Sequence, residues 1–160
     1  MDPELLEALR RDSGLRLDAE GRFFFHERPV ENQRVQALFH RHLAVKSDGD
    51  VTLMVGEQWA YVVCETVAHF VDAMRWRDGL LELRFRHEAD AVTGEPWLGF
   101  DPRGRCYVWL DPSGPPAVLV RSAHQALASL LEDRDGQMVL PLPSGPRVVR
   151  TLSQTPGPAA

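Results

Sequence analysis

The sequence predicts an α+β protein built from two copies of one small module, each an antiparallel curled sheet packed around one helix, the two sharing a core. Three observations carry this. Residues 15–25 read LRLDAEGRFFF and residues 98–108 read LGFDPRGRCYV, so Leu15, Asp18, Gly21 and Arg22 match Leu98, Asp101, Gly104 and Arg105 at a constant offset. Further on, Gln36-Ala37-Leu38 matches Gln125-Ala126-Leu127, and Asp48-Gly49 matches Asp135-Gly136, with the offset drifting by only a few residues. The order of elements is the same in both stretches: hairpin, helix, Asp-Gly hairpin, strand. A repeat of this kind sets the architecture before any other feature is read. At 160 residues and 44% hydrophobic, each half alone would be near the lower limit for a self-sufficient core, which is why the two are expected to share one.

Residues 1–14 form an N-terminal helical segment. Asp2-Pro3 starts the helix, Leu5, Leu6 and Leu9 lie on one side, and Asp12-Ser13-Gly14 ends it. The first module spans 15–66. Leu15–Leu17 and Arg22–Phe25 pair around Asp18-Ala19-Glu20-Gly21, and Pro29 breaks the strand. Asn32 caps a helix reaching about Leu43, with Val35, Leu38, Phe39 and His42 at helical spacing. Val51–Val55 and Trp59–Cys64 complete the module as strands. Residues 67–97 bridge the modules. Asp78-Gly79 is a two-residue turn of type I′, which pairs Arg77 with Leu80, Arg75 with Glu82 and Ala73 with Arg84. Residues 87–97 follow as a loop. The second module spans 98–152, with a helix over 122–132 opened by a capping box of Ser122 and Gln125. Its apolar face carries Ala123, Ala126, Leu127, Leu130 and Leu131. The Pro/Gly/Ala tail 153–160 is expected to be disordered. Phe39, Trp59, Trp76, Phe85, Leu127 and Leu131 are the expected core.

A net charge of −5 argues against a dedicated nucleic-acid binder, because phosphate neutralisation needs concentrated positive charge. Lys46 is the only lysine among 18 basic residues, and there is no isoleucine, a skew that fits GC-rich bacterial codons. Cys64 and Cys106 form no C-x-x-C pair and are read as buried free thiols. The charged N-terminus offers no secretory signal, and no apolar run nears the ~18 residues needed to span a bilayer. The expected compartment is the cytoplasm, with no membrane partner.

There is no phosphate-binding glycine loop, no nucleophile elbow and no zinc-spaced Cys/His cluster, so no cofactor and no metal are expected. His40 and His42 are two apart on a helix and face different ways: His42 is expected to pack and His40 to be solvated. His26-Glu27-Arg28 and His87-Glu88-Ala89-Asp90 pair an imidazole with carboxylates. They support an alternative reading as an enzyme of unknown class, against the plainer reading of each as turn or loop residues. The hairpin offers more. Arg75, Arg77, Arg84 and Arg86 should project from one face, beside His87 and with Trp97 in the neighbouring loop. Their planar forks suit carboxylate and phosphate, so these six residues are the candidate binding site. The function read from the residues is a non-catalytic binding or accessory protein recognising a protein partner or a small anionic ligand.

The segments Gly21-Arg22-Phe23-Phe24-Phe25-His26-Glu27-Arg28-Pro29-Val30, Gln58-Trp59 leading a strand, and Leu83-Arg84-Phe85-Arg86 running into an acidic loop resemble a bacterial family, domain-of-unknown-function family 1285. The resemblance covers about residues 15–150. It implies two repeated motifs, each a curled antiparallel sheet around a helix, no established activity, and a role in signal transduction.

Overall fold

The computed structural model describes residues 2–159. Asp2 accepts the Glu4 N–H at 3.0 Å and caps α1 (Pro3–Arg11). The first module then runs β1 (Leu15–Leu17), β2 (Phe23–Phe25), β3 (Arg28–Pro29), α2 (Gln33–Arg41), β4 (Leu43–Val45), β5 (Val51–Val55) and β6 (Gln58–Cys64). These strands form one six-stranded sheet in the order β3-β2-β1-β6-β5-β4. The bridge supplies β7 (His69–Arg77), β8 (Leu80–Phe85) and β9 (Val92–Thr93). The second module runs β10 (Trp97–Phe100), β11 (Cys106–Trp109), β12 (Ala117–Leu119), α3 (Arg121–Gln125), a 3-10 turn at Leu127–Ser129, β13 (Glu132–Arg134), β14 (Gln137–Leu142), β15 (Gly145–Val148) and β16 (Arg150–Thr151).

The duplication is written in the hydrogen bonds. Gly21 and Gly104 close their turns at φ 85° and 84°, a region open to glycine without steric cost. Asp18 accepts the Glu20 and Arg22 N–H groups at 3.0 and 2.8 Å, and Asp101 accepts those of Arg103 and Arg105 at 3.0 and 2.9 Å. β1 pairs in parallel with β6 at Arg16↔Val63 and Leu17↔Cys64, while β10 pairs in parallel with β16 at Gly99↔Arg150 and Phe100↔Thr151. The copies differ in their last strand. β6 is continuous, whereas its counterpart breaks in two, β15 pairing with β14 and β16 with β10.

The bridging hairpin adds to the second module's sheet, whose order is β16-β10-β11-β12-β7-β8-β9, through the parallel pair β12–β7. The β7–β8 register matches the one its turn dictates, Arg77↔Leu80, Arg75↔Glu82 and Ala73↔Arg84, up to a bulge between Val71 and Ala73. Alternation along these strands buries both faces of the sheet. Val71, Cys106, Val108, Ala117 and Leu119 enter one cluster with Leu81, Leu83 and Leu98; Phe70, Tyr107 and Val118 enter the other with Leu17, Phe23 and Val62 of the first module. The core is therefore shared across the module boundary.

Several expectations are corrected. Helix 122–132 is only α3 and the 3-10 turn, and the Ser122–Gln125 capping box does not form. The Val120 N–H is held by the Val71 carbonyl at 3.0 Å, so β12 leads directly into the helix with Val120 as N-cap and Ser122 inside the first turn. The tail 153–160, expected to be disordered, is placed over its described residues 153–159. The Thr155 hydroxyl donates to the buried Asp101 carboxylate at 2.9 Å, which also accepts from the Tyr107 hydroxyl at 3.1 Å, and Pro156 is buried. Of the expected core, Phe85 and Leu127 are buried, but Phe39, Trp59, Trp76 and Leu131 are half-buried at the margins. Trp59 lies under the Arg10 guanidinium at 3.9 Å, in keeping with its place beside α1. Cys64 and Cys106 are free, and burial pushes each thiol up to about 12.

Candidate anion-binding cleft

Arg75, Arg77 and Arg84 stand on the hairpin's outer face, but Glu82 answers two of them: it accepts from Arg75 Nε at 2.9 Å and Arg77 Nη1 at 3.4 Å. Those guanidiniums hold the Glu82 carboxyl below its ordinary range. Arg84 is left exposed on that face. Arg86 leaves the array altogether. Beyond the bulge its N–H bonds the Phe70 carbonyl at 2.9 Å, and its guanidinium bonds Asp72 at 2.7 Å while lying 5.2 Å over the Phe70 ring.

Arg86 turns toward the first module's turn. A Cβ built on Gly21 would sit 2.4 Å from Arg86 Nη1, so a side chain there would push the guanidinium aside, and the φ of 85° is what calls for glycine. On the turn's other side His40 Nε2 donates to the Gly21 carbonyl at 2.8 Å. His40 is 3% exposed, and burial, with Arg86 nearby, lowers its pKa to about 4. The expectation for the α2 histidines is thus reversed. His42 is the helix's C-cap at φ −107° and is exposed, while His40 faces the turn.

The equivalent turns of the two modules meet here. They line a cleft of about 640 Å³ with Ala19 and Glu20 on one side, Arg103, Gly104 and Arg105 on the other, and Phe70 with Val118–Val120 at its base. Arg86, Arg121, His124 and Gln125 complete the wall. Arg105 spans the opening, donating to Glu20 at 2.9 Å and to the Ala19 carbonyl at 3.3 Å. Glu20 and Asp72 thus answer Arg105 and Arg86. Arg103 and Arg121 are exposed and make no salt bridge among the described residues.

Of the six expected site residues, only Arg86 lines this cleft. His87 lies in a second pocket of about 210 Å³, stacked on His69 with ring centroids 3.7 Å apart at 22°. The Nδ1 atoms of both rings are buried without a hydrogen-bond partner among the described residues, and burial lowers both pKa values, that of His69 to about 3. Glu88 and Asp111 line the same pocket. Trp97 is not in a loop. It opens β10 opposite Trp109 and carries the Arg147 guanidinium 3.8 Å over its ring. His26, with Glu27, forms the tight β2–β3 turn at φ 48° and 64°. Among the described residues no group of three or more His, Cys, Asp or Glu is placed to hold a metal ion, and no helix is long and apolar enough to cross a membrane.

Sequence reasoning missed Glu20, Arg103, Arg105 and Arg121. Reading one copy against the other offers a signal. Glu20 is replaced by Arg103 at the same turn position. Gln36 ties α2 to the first sheet by accepting the Phe23 N–H at 3.2 Å, whereas its counterpart Gln125 lines the cleft. These divergences between the copies fall at their junction.

Two modules joined through a doubly buried sheet, with a charged cleft where their turns meet, describe the class of protein this is. No protein-family model and no curated protein matches the chain. Among solved structures it is similar to a DUF1285 family protein from Silicibacter pomeroyi DSS-3, with a TM-score of 0.65 and 16% identity over 89% of this chain and 80% of that one. It is also similar to a DUF1285 family protein from Shewanella baltica OS155, with a TM-score of 0.52 and 13% identity over 73% of this chain and 91% of that one. What the chain shares with them at this identity is the fold, which is DUF1285-like.

Proposed function

We propose that this chain is a non-catalytic binding protein that recognises a small anionic ligand in the inter-module cleft. The observation that carries the reading is the pair Arg103 and Arg121, which face the cleft without salt-bridge partners among the described residues, on a chain whose net charge is −5. Positive charge concentrated in a concave site on an acidic surface draws anions. Arginine's planar fork gives such a site directional bonds to carboxylate or phosphate. The volume lies within the usual range for small-molecule sites, ~300–1,000 Å³. The outer face of the hairpin supports this less well, because Glu82 already answers Arg75 and Arg77. A ligand-responsive module of this kind suits the signal-transduction role that the family resemblance implies.

The test is a double reversal, Arg103→Glu with Arg121→Glu, titrated calorimetrically with inorganic phosphate and with succinate. Both side chains are exposed, so the fold should survive. Binding should weaken by about tenfold or more, the equivalent of ~1.4 kcal/mol. Unchanged binding by a folded double variant would place the site elsewhere, with Arg84 on the hairpin face the next residue to reverse.

A further inference from the structure

We infer that Glu20 is a built-in competitor for the cleft, and that the ligand able to displace it is a phosphomonoester dianion. This rests on the cleft reading above and adds to it the class of ligand and the residue that selects it.

The repeat makes Glu20 conspicuous. At equivalent tips of equivalent turns, one copy presents Glu20 and the other Arg103. The Glu20 carboxylate reaches across the module boundary and occupies Arg105 Nη2 at 2.9 Å. It is not locked in place. Its side chain is 56% exposed, so the ion pair is a surface pair and cheap to break. Arg22 Nη2 lies 3.8 Å from its other oxygen and gives the carboxylate somewhere to go. Its backbone N–H stays bonded to Asp18 at 3.0 Å, so the side chain can swing while the turn holds. Asp72 differs: it grips a part-buried Arg86 at 2.7 Å beside Phe70.

An incoming anion must therefore take Arg105 from Glu20. A monocarboxylate exchanges one carboxylate for another and gains little. A phosphomonoester brings up to two charges and three strong acceptor oxygens. It can engage Arg105 in a bidentate fork and still offer an oxygen to Arg103 or Arg121. The cleft exceeds the needs of a phosphate group alone, which leaves room for an organic body beside Val120, His124 and Gln125. Glu20 thus discriminates by charge, admitting dianions and turning away monoanions.

The experiment titrates the full chain at pH 8 with inorganic phosphate, acetate, glycerol 3-phosphate and a phosphoserine tripeptide. The wild type should bind the phosphate probes and bind acetate much more weakly. Glu20→Gln should tighten phosphate about three- to fivefold and narrow the gap to acetate, because it removes the competing charge. Arg105→Gln should weaken phosphate about tenfold or more. The tighter of the two esters tells a free phosphorylated metabolite from a phosphorylated side chain. If Glu20→Gln leaves phosphate affinity unchanged while Arg103→Glu with Arg121→Glu abolishes it, the competitor role is wrong and the cleft stands. If neither wild type nor Glu20→Gln binds any phosphate probe at millimolar concentration, the cleft reading fails too. Thermal melts of each variant show whether any loss reflects unfolding.

Discussion

Replacing Phe70 with Ala should destabilise the protein by about 3–5 kcal/mol, the cost typical of emptying a well-packed aromatic site. Phe70 is 1% exposed and sits where the modules join. Its strand partner is Val118 of the second module, while its ring packs into the cluster with Leu17, Phe23 and Val62 of the first. His40 meets the ring edge-on at 5.7 Å, and the Arg86 guanidinium covers it at 5.2 Å. Two ring atoms lie 3.3 Å from the Cβ position of Gly21. Neighbours held by their own hydrogen bonds collapse poorly into a void, so the upper part of that range is expected. Urea denaturation followed by circular dichroism and by tryptophan fluorescence measures it. Both probes should report one transition, because the core crosses the module boundary. Phe70→Leu keeps most of the volume and should cost much less. A loss below about 1 kcal/mol for Phe70→Ala, or two separate transitions in the wild type, would mean that the halves fold independently.

What the sequence made legible was whatever is decided locally. Asp78-Gly79 admits one hairpin register, and five pairs of β7 and β8, from Arg77↔Leu80 to Ala73↔Arg84, follow from it before the bulge shifts the sixth. Asp18 and Gly21, like Asp101 and Gly104, carry their turn in their own chemistry, so the duplicated hairpin is legible in the amino-acid sequence. The misses share a different cause. The bulge at Asp72 has no glycine or proline to announce it, yet it redirects Arg86 from the hairpin face into the cleft. Spacing put His42 on the apolar side of α2 and His40 in solvent; what reverses them is the Gly21 carbonyl, contributed by a turn far away in the chain. The cleft depends on Glu20 meeting Arg105 across the module junction, and no periodicity encodes that contact. The tail is held by one hydroxyl reaching a carboxylate in the second module's turn, a contact its Pro/Gly composition conceals.

Acidification should destabilise the protein steeply between pH 6.5 and 4. His40 and His69 have folded-state pKa values of about 4 and 3, both lowered first by burial. An unfolded histidine titrates near 6.5. Because the folded values are depressed, the full contribution is present above pH ~6.5 and is lost as pH falls toward 4, where the unfolded chain takes up protons that the native state refuses. At 1.36 kcal/mol per unit, the loss by pH 4 is on the order of 3 kcal/mol for each group. Together that is comparable with the ~5–15 kcal/mol of a whole domain. The surroundings explain the refusal. His69 stacks on His87, with Nδ1 of both rings buried and unpartnered among the described residues, so a proton on either ring would repel one on the other. His40 faces Arg86 as well as Asp72, and Glu88 lies 3.7 Å from His87 Nε2. Asp101, held below its ordinary range by the Arg103 and Arg105 N–H groups and by the Thr155 and Tyr107 hydroxyls despite its burial, acts in a separate, lower window. Urea midpoints measured at half-unit steps from pH 7.5 to 4 should fall steeply below 6.5. In His69→Phe, which keeps a ring against His87, the slope between pH 6.5 and 4 should be about half that of the wild type. Proton NMR of the wild type adds a check that no substitution can confound: two histidine Cε1 resonances should stay in the neutral position down to the onset of unfolding. If His69→Phe retains the full slope, or if those resonances titrate near 6.5 in the folded protein, the buried histidines are not the acid-labile element.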